Sequence, residues 1–251
     1  MSGLFSLEGR TALVTGARSG IGRAIALGLA EAGADLVLAG RGGPLEETEK
    51  AVRALGRDAE TLVLDLAVPS AIPSTVRELL DRRPVDILVN NAGAIHRSPA
   101  EHTAYEEWRG VLAVNLDAVF LLCREIGTAM AARGSGKIVN VASLLSFQGG
   151  VGVPSYAASK HAVAGLTKAL ATEWGPRGVQ VNAVAPGYIA TGFTESLRED
   201  AERNTEILGR IPAGRWGSPE DLAGSVVFLS SSAADYVNGH VLVVDGGWMA
   251  R

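Results

Sequence analysis

The sequence predicts an α/β protein: one doubly wound domain in which a sheet of seven parallel strands carries helices on both faces. Short apolar runs rich in β-branched residues alternate with longer helical patterns along the chain, as expected where helices connect parallel strands. The runs are apolar at almost every position, which indicates strands that are buried on both faces. With 251 residues, 47% of them hydrophobic, the chain is long enough for one large core. We therefore expect a single domain over residues 1–251.

Seven apolar runs are predicted as strands, and each is short enough to belong to one sheet. They are TALVT (11–15), DLVLA (35–39), TLVL (61–64), DILVN (86–90), KIVNV (137–141), VQVNAV (179–184) and HVLVV (240–244). Helical patterns fill most of the gaps between these runs. Their alternation with the strands predicts a parallel order rather than hairpins.

A long helix is predicted over residues 155–174, and its first turn is unusual. At about 100° per residue, Tyr156 and Lys160 lie on the same stripe as the apolar side chains that follow. Burying an unpaired ammonium group is unfavourable. We therefore expect the polar beginning of this stripe to face a cleft.

One segment, residues 188–217, interrupts the alternation of strands and helices. It is long, polar and rich in Arg, Gly and Thr. It follows the end of a strand, where folds of this class place substrate loops. We therefore predict a mobile substrate-loop insertion here. Most of its arginines are expected to be solvated or ion-paired: Arg198, Arg203, Arg210 and Arg215.

The composition argues against several classes of function. The net charge is −4 and no run of Lys and Arg is present, so a nucleic-acid partner is not expected. The N-terminus lacks an apolar run long enough for a signal peptide or a membrane span, so we expect a cytoplasmic protein without a membrane partner. Cys123, the one cysteine, is expected to be a buried apolar residue. No cluster of His, Cys or carboxylate residues indicates a metal site.

The first predicted strand continues into a glycine-rich turn and then a helix, in TALVTGARSGIGRAIALGLAEAG. Gly16, Gly20 and Gly22 have the spacing G-x3-G-x-G. Glycine allows the backbone to approach a pyrophosphate closely, and the N-terminus of the following helix favours the anion. Glycine triplets are common in turns, but the position between the first strand and a helix predicts a Rossmann-type dinucleotide site.

The end of the second strand bears on which dinucleotide is bound. An acidic residue there binds the ribose 2′-hydroxyl of NAD, whereas an arginine accommodates the 2′-phosphate of NADP. This chain has Gly40 and Arg41 at that end, and Asp35 at the other. Arg18 in the glycine turn adds a second positive charge. NADP is therefore favoured over NAD, with solvated surface arginines as the alternative explanation.

Several motifs occur in a fixed order along the chain. They are TGARSGIG (15–22), NNAG (90–93), Asn115, Ser143, YAASK (156–160) and PGYIAT (186–191). Ser143 and Tyr156 are 13 residues apart. In this order and spacing the motifs resemble the short-chain dehydrogenase/reductase family over nearly the whole chain. Each motif alone is weak evidence, but together they make coincidence implausible.

The resemblance implies a catalytic set of Asn115, Ser143, Tyr156 and Lys160. Reduction of a ketone leaves an alkoxide, which needs a proton from a nearby acid. Tyr156 is the implied acid, and because a free phenol titrates near 10, the Lys160 cation one turn away is expected to lower its pKa. By the same resemblance, Ser143 would hold the substrate oxygen and Lys160 would also bond the nicotinamide ribose. Asn115 would bind a water that links Lys160 to solvent.

The resemblance also implies a cofactor site built from the ends of several strands. Asp65 would bond the adenine amino group or, alternatively, cap the next segment. Thr191 would bind the nicotinamide carboxamide or serve only as a loop hydroxyl. The complete implied set is Gly16, Arg18, Ser19, Gly20, Ile21, Gly22, Arg41, Asp65, Leu66, Asn91, Ala92, Gly93, Tyr156, Lys160, Pro186, Gly187, Ile189 and Thr191.

Other stretches indicate the substrate class. They are AGAIHR (92–97), SLLSFQGGVGVPSY (143–156), RIPAGRWGSPEDL (210–222) and DYVNGHVLVVDGGWMAR (235–251). These resemble bacterial sugar-acid dehydrogenases, which act on gluconate, 2-deoxygluconate and 2-keto-3-deoxygluconate. A sugar acid needs an arginine and polar partners. His96, Arg97 and Gln148 follow strand ends and are the candidates, although each could be an ordinary surface or loop residue.

Two other functions remain open at the level of sequence. The chain could reduce the ketoacyl group of an acyl carrier protein, because that class shares every core motif. No obvious basic patch for an acidic carrier is present, however. The chain could also bind NADP as a sensor without turnover, but the complete catalytic set argues against this function.

The resemblance implies a homotetramer, because members of the family are commonly tetramers. Trp248 and Met249 lie only a few residues from the C-terminus. A large apolar side chain on a free tail gains no burial, so a docking surface is expected. We expect the C-terminal segment to be buried between subunits. Burial of Trp248 against its own subunit is the alternative.

Overall fold

The computed structural model describes residues 3–43 and 45–251, and its centre is a sheet. The strands are β1 (Thr11–Thr15), β2 (Asp35–Gly40), β3 (Ala59–Val63), β4 (Ile87–Asn90), β5 (Gly136–Val141), β6 (Val179–Pro186) and β7 (Val241–Val244). They pair in the order β3-β2-β1-β4-β5-β6-β7, and all pairs are parallel. The predicted fold class is therefore confirmed.

Strand β3 differs from its predicted run by two residues. It covers Ala59–Val63, whereas the apolar pattern indicated residues 61–64. β3 is an edge strand in which Ala59 and Leu62 are buried but Thr61 and Val63 are exposed, Val63 to 70%. A continuous apolar run is a guide only to central strands, which are covered on both faces.

The strand order places a crevice at the centre of the sheet. From β1 the chain winds outward to β2 and β3, then returns to β4 on the other side of β1 and continues to β7. The connections that leave the adjacent carboxyl ends of β1 and β4 therefore go in opposite directions. Doubly wound sheets bind their ligands at such a switch point.

Helices cover both faces of the sheet. They are α1 (Gly20–Glu31), α2 (Leu45–Ala54), α3 (Ile72–Leu80), α4 (Tyr105–Leu112), α5 (Ala118–Arg133), α6 (Pro154–Trp174), α7 (Glu195–Glu199), α8 (Ala201–Arg210) and α9 (Glu220–Ser230). A π-helical turn, Ala113–Asp117, joins α4 to α5. Over the described residues, none of the helices has the combined length and apolar character that a membrane crossing requires.

Two large apolar layers hold the helices against the sheet. Successive residues of β1 point to opposite faces, so Leu13 belongs to one layer and Val14 to the other. Helices α3, α5 and α6 contribute to the first layer, and Cys123 of α5 is fully buried there as expected. Helices α1, α2 and α9 contribute to the second layer. Burial on both faces explains why the central strands are apolar throughout.

The insertion after β6 is folded and has its own small core. Its helices α7 and α8 pack through Leu197, Ile207 and other apolar side chains onto Trp248 of the C-terminal segment. At the base, Ala190 N donates to Gly217 O at 2.8 Å, which joins the two ends of the insertion. The segment predicted as a mobile polar loop is therefore anchored by an apolar cluster.

Trp248 is buried within its own subunit, which was the alternative expectation, and burial of the rest of the C-terminal segment between subunits stays a prediction. The side chain is 5% exposed in the single chain. Its ring centroid lies 4.6 Å from that of Tyr188, and the guanidinium carbon of Arg210 lies 3.9 Å from its ring. Arg251 likewise donates to the Gly209 carbonyl of its own insertion. A single subunit therefore supplies the surface that the tryptophan requires.

Candidate functional site

A single cleft at the carboxyl edge of the sheet brings the predicted site together. It has a volume of about 850 Å³ and follows the ends of β1 to β6. All of the residues predicted to bind the cofactor line it, and so does Ser143. Asn115 lies behind the wall of the cleft, whereas His96, Arg97 and Gln148 are outside its lining.

The glycine turn after β1 leaves no space for side chains. Gly16 has a φ of +68°, a conformation that favours glycine. A Cβ atom on Gly22 would lie 2.2 Å from the Gly16 carbonyl oxygen. Ser19 precedes α1 in an extended conformation, and its side chain does not cap the helix. The first N–H groups of α1 therefore remain available to an anion in the cleft.

Thr15 connects the glycine turn to the NNAG turn after β4. Its hydroxyl oxygen accepts from the backbone N–H groups of Asn91 and Ala92, both at 3.0 Å. The Asn91 side chain donates in return to the Thr15 carbonyl at 2.9 Å. Asn91 thus braces the two turns with its amide, and the backbone of the NNAG turn faces the cleft.

Ser143, Tyr156 and Lys160 meet at the chemical end of the cleft. Ser143 follows β5, and Tyr156 and Lys160 lie in the first turns of α6. Lys160 is 4% exposed, and its Nζ donates to the Val141 carbonyl at 2.7 Å. The same Nζ lies 5.5 Å from the centroid of the Tyr156 ring. The face of α6 that begins with Tyr156 and Lys160 therefore meets a cleft at its polar end, as predicted.

The pKa of Tyr156 is raised in the structure, which differs from the expected effect of Lys160. Burial of the phenol is the largest cause, and it outweighs the Ser143 hydroxyl and the positive charge of Arg97, both of which lower the pKa. Burial also lowers the pKa of Lys160 to about 8. Lys160 is itself desolvated and bonded to the Val141 carbonyl. Its positive charge is therefore not the main influence on the pKa of Tyr156.

Asn115 lies in the π-helical turn and is 1% exposed. Its Oδ1 accepts from the Ala94 N–H at 2.7 Å, and its Nδ2 donates to the Ala94 carbonyl at 2.9 Å. Nδ2 also donates to Ser159 Oγ at 3.1 Å. The side chain thereby fixes the backbone after the NNAG turn to α6. Its predicted contact with water remains a prediction.

The three predicted substrate residues occupy different environments. Arg97 donates to the Phe193 carbonyl at 2.8 Å and is close enough to lower the pKa of Tyr156. His96 Nε2 lies 3.0 Å from a carboxylate oxygen of Glu107, on α4. Gln148 is half-buried beside the cleft. Of the three, Arg97 is the one that the structure brings to the chemical end.

Arg18 and Arg41 lie together at the other end of the cleft, after β1 and β2, and both are exposed. Asp65, an acidic residue that follows β3, also lines the cleft. Its Oδ1 accepts from the Ala67 N–H at 2.9 Å. Asp65 therefore caps the turn after β3, which was one of its two predicted roles. Its other oxygen is available for the role at the adenine.

Three residues of the site were not singled out by the sequence. Thr15 stands within the motif TGARSGIG and Ser159 within YAASK, so the motifs contained both without indicating their hydrogen bonds. Arg198 of α7 lines the cleft, whereas the sequence grouped it with three other arginines of which most were expected to be solvated or ion-paired. The sequence of a polar loop does not show which of its arginines will line a cleft.

The comparisons with known proteins cover nearly the whole chain. The family model described as enoyl-(acyl carrier protein) reductase matches residues 16–249. The 2-dehydro-3-deoxy-D-gluconate 5-dehydrogenase of Bacillus subtilis is 56% identical over 98% of this chain and 97% of its own.

Two solved structures are similarly close. The structure of a candidate gluconate 5-dehydrogenase from Beutenbergia cavernae, with bound NADP, is 58% identical and has a TM-score of 0.97 over 99% of this chain and 100% of that one. A candidate 2-deoxy-D-gluconate 3-dehydrogenase from Agrobacterium tumefaciens, also with NADP, is 54% identical with a TM-score of 0.92 over 99% of both chains. The likeness therefore extends to the sequence as well as to the fold.

Proposed function

Because the chain belongs to the short-chain dehydrogenase/reductase family, we propose that it is an oxidoreductase that transfers a hydride between NADP and a sugar acid. The observation that carries this proposal is the one cleft that joins the glycine turn to Ser143, Tyr156 and Lys160. The substrate class is supported by relatives named for gluconate or a deoxygluconate, at 54–58% identity.

The cleft fits a dinucleotide on its own geometry. A Cβ on Gly22 would collide with the Gly16 carbonyl, and the open N-terminus of α1 provides N–H groups for a pyrophosphate. Arg41 and Arg18 supply positive charge at the end of β2, which supports the preference for NADP over NAD. Asp65, Leu66 and the NNAG backbone would bind the adenosine half. Pro186, Gly187, Ile189 and Thr191 would enclose the nicotinamide half.

When bound, NADP supplies or accepts the hydride. The residues of the chain would then bind the substrate oxygen and transfer the proton. Ser143 would hold that oxygen, and the Tyr156 hydroxyl would donate its proton to the developing alkoxide. With a raised pKa, Tyr156 is protonated at neutral pH, as a proton donor must be. Lys160, with its pKa lowered to about 8, would bond the ribose, and a water bound by Asn115 would link Lys160 to solvent and return the proton.

Two alternatives are weaker. A ketoacyl-carrier reductase shares the catalytic set, but the relatives reported above with 54–58% identity are named for sugar acids. A sensor that binds NADP without turnover would not need a buried lysine, Lys160, that bonds the Val141 carbonyl and lies 5.5 Å from the Tyr156 ring. The proposal includes assembly as a homotetramer, which the family resemblance supports.

The decisive experiment is a substrate panel followed at the nicotinamide absorbance. Gluconate, 2-deoxygluconate and 2-keto-3-deoxygluconate are each tested with NADP and with NAD, alongside a ketoacyl thioester with NADPH. We expect turnover of at least one sugar acid and faster turnover with NADP. Reduction of the thioester alone would favour the carrier-protein function. NADP binding without any turnover would favour the sensor.

A further inference from the structure

Arg198 differs from the other arginines of the insertion. Arg203 pairs with Glu206 at 2.7 Å, and Arg215 pairs with Asp221 at 2.6 Å. Arg210 stacks on Trp248. Arg198, in contrast, has no carboxylate within 4.0 Å among the residues that the structure describes.

The guanidinium of Arg198 is also incompletely hydrogen-bonded. Its Nη2 donates to the Thr191 carbonyl at a long distance, 3.4 Å. Its Nε is buried and has no hydrogen-bond partner among the residues that the structure describes. A buried donor on a charged group is costly to leave unmatched. A ligand that accepts hydrogen bonds from one edge of the guanidinium would remove this cost.

The position of Arg198 is fixed relative to the cleft. Thr194 Oγ1 donates to the Ile189 carbonyl at 2.6 Å and accepts from the Thr191 N–H at 3.1 Å, which holds the turn before α7. Phe193 crosses to the NNAG turn, where a Cβ on Gly93 would lie 4.0 Å from its ring. Arg198 lines the same cleft as Ser143 and Tyr156.

The charges that line the cleft are separated by location. Arg18, Arg41 and Asp65 follow β1, β2 and β3, whereas Lys160 lies on α6 and Arg198 on α7 of the insertion. Lys160 is already directed at the Val141 carbonyl. Arg97, nearby, is bonded to the Phe193 carbonyl. Of the three guanidinium groups that line the cleft, Arg198 is the one on the insertion, near the turn that Arg97 contacts, and its Nε is buried without a partner among the described residues.

We propose that Arg198 binds the carboxylate of the sugar acid and so selects anionic substrates, an inference that rests on the proposed function. A carboxylate has two acceptor oxygens that match Nε and Nη2 of an arginine in a bidentate pair. Because Arg198 stands on α7, its contact also ties the substrate to the insertion. The same chemistry is available from a phosphate of the cofactor, and the experiment separates the two anions.

The test compares Arg198→Met with Arg203→Met, a matched change on α8 in the same insertion. For Arg198→Met we expect KM for the best sugar acid to rise about 10- to 150-fold, the effect of one charge-assisted pair, with kcat changed much less. The dissociation constant of NADP should stay within about threefold. Arg198→Lys, which keeps the charge but loses the fork, should give an intermediate KM. Arg203→Met should leave both constants unchanged.

Two results would overturn the role of Arg198. One is an unchanged KM in Arg198→Met, and the other is a loss of NADP affinity equal to the rise in KM, which would assign the arginine to a cofactor phosphate. NADP binding measured on each variant also verifies that it is folded. Failure of the wild-type protein to turn over any sugar acid would instead contradict the proposed function, independently of the variants.

Discussion

Tyr156 is the residue whose chemistry can be isolated most cleanly. Its hydroxyl is proposed to supply a proton, and its side-chain partner is the Ser143 hydroxyl. In Tyr156→Phe we therefore expect turnover to fall by at least about 10²-fold, as when a general acid is removed, with NADP affinity nearly unchanged. Steady-state rates and fluorescence titration with NADPH measure the two quantities. A kcat within about tenfold of wild type would contradict the assignment.

Lys160 gives a prediction about stability and pH. Burial lowers its pKa from 10.5 to about 8. Between these values the unfolded chain holds a proton that the folded chain has released, so the free energy of unfolding rises with pH across this window. The full difference is equivalent to about 3 kcal/mol, at ~1.4 kcal/mol per pH unit.

The variant Lys160→Met removes this titration and provides the reference. We expect the stability of wild type relative to Lys160→Met to increase between pH 8 and pH 10.5, by at most about 3 kcal/mol. Denaturant unfolding at a series of pH values measures the difference. Parallel stability curves for the two proteins would show that Lys160 titrates alike in the folded and unfolded states.

Arg41 tests the choice of dinucleotide. If its guanidinium pairs with the 2′-phosphate, Arg41→Ala should weaken NADP about 10- to 150-fold, equivalent to roughly 1.5–3 kcal/mol, and should affect NAD little. Titration of each variant with both nucleotides gives the ratio. An equal loss for NADP and NAD, or a wild-type preference for NAD, would disprove this account.

At the residue scale, the sequence was informative where geometry forces a residue type. Gly22 has no space for a Cβ, and the helical period places Lys160 one turn after Tyr156. The direction of the Tyr156 pKa was not accessible in this way, because it depends on burial by the folded chain. The unmatched donor of Arg198 depends on the same three-dimensional surroundings.

At the scale of elements, the C-terminal segment and the insertion form one packed unit. Trp248 contacts this unit through Tyr188 and Arg210, and the same cluster includes Leu144, which directly follows Ser143. The C-terminal segment therefore packs both against the insertion and against the residues that follow β5, next to Ser143. The sequence showed that Trp248 needs a docking surface but not which surface, because several apolar side chains from distant segments form it.

We expect Trp248→Ala to destabilise this unit. Truncating a buried tryptophan removes about 3–5 kcal/mol of stability, and here the loss should loosen α8 and raise KM for the substrate. Met249→Ala is the matched control, because Met249 is the next residue and is 38% exposed. Thermal unfolding and KM measure the two effects. Equal, small effects of both changes would mean that the cluster contributes little.

For most elements, the apolar pattern was sufficient to predict position. The central strands are buried on both faces, and their predicted runs differ from the observed ends by at most two residues, as at β6. The pattern missed Ala59 and Glu60 at the start of β3, an edge strand in which Thr61 and Val63 are exposed. It also could not show that the insertion contains α7 and α8 on a small apolar core. Both failures arise where tertiary contacts, rather than periodicity, decide burial.

At the scale of the whole molecule, the sequence predicted a doubly wound parallel sheet but not the order of its strands. The pairing of β1 with β4 places the switch point beside the glycine turn that follows β1. Assembly is different, because its interfaces are made of side chains that a single chain exposes. With Trp248 buried internally, Met249 is the large apolar side chain that the C-terminal segment still exposes. An apolar contact of the last residues of the chain with a neighbouring subunit would therefore involve Met249.

We expect a homotetramer with a mass of four 26.0 kDa chains, about 104 kDa, by light scattering. If Met249 lies between subunits, Met249→Glu places an unpaired carboxylate in an apolar contact, which is unfavourable, and should shift the assembly toward dimers. Val63→Glu on β3 is the control, because Val63 is also exposed and apolar but lies on the opposite edge strand of the sheet. A wild-type mass near that of one chain would contradict the tetramer. A tetramer that persists in Met249→Glu would place the interfaces elsewhere and leave the C-terminal segment with its role in the insertion alone.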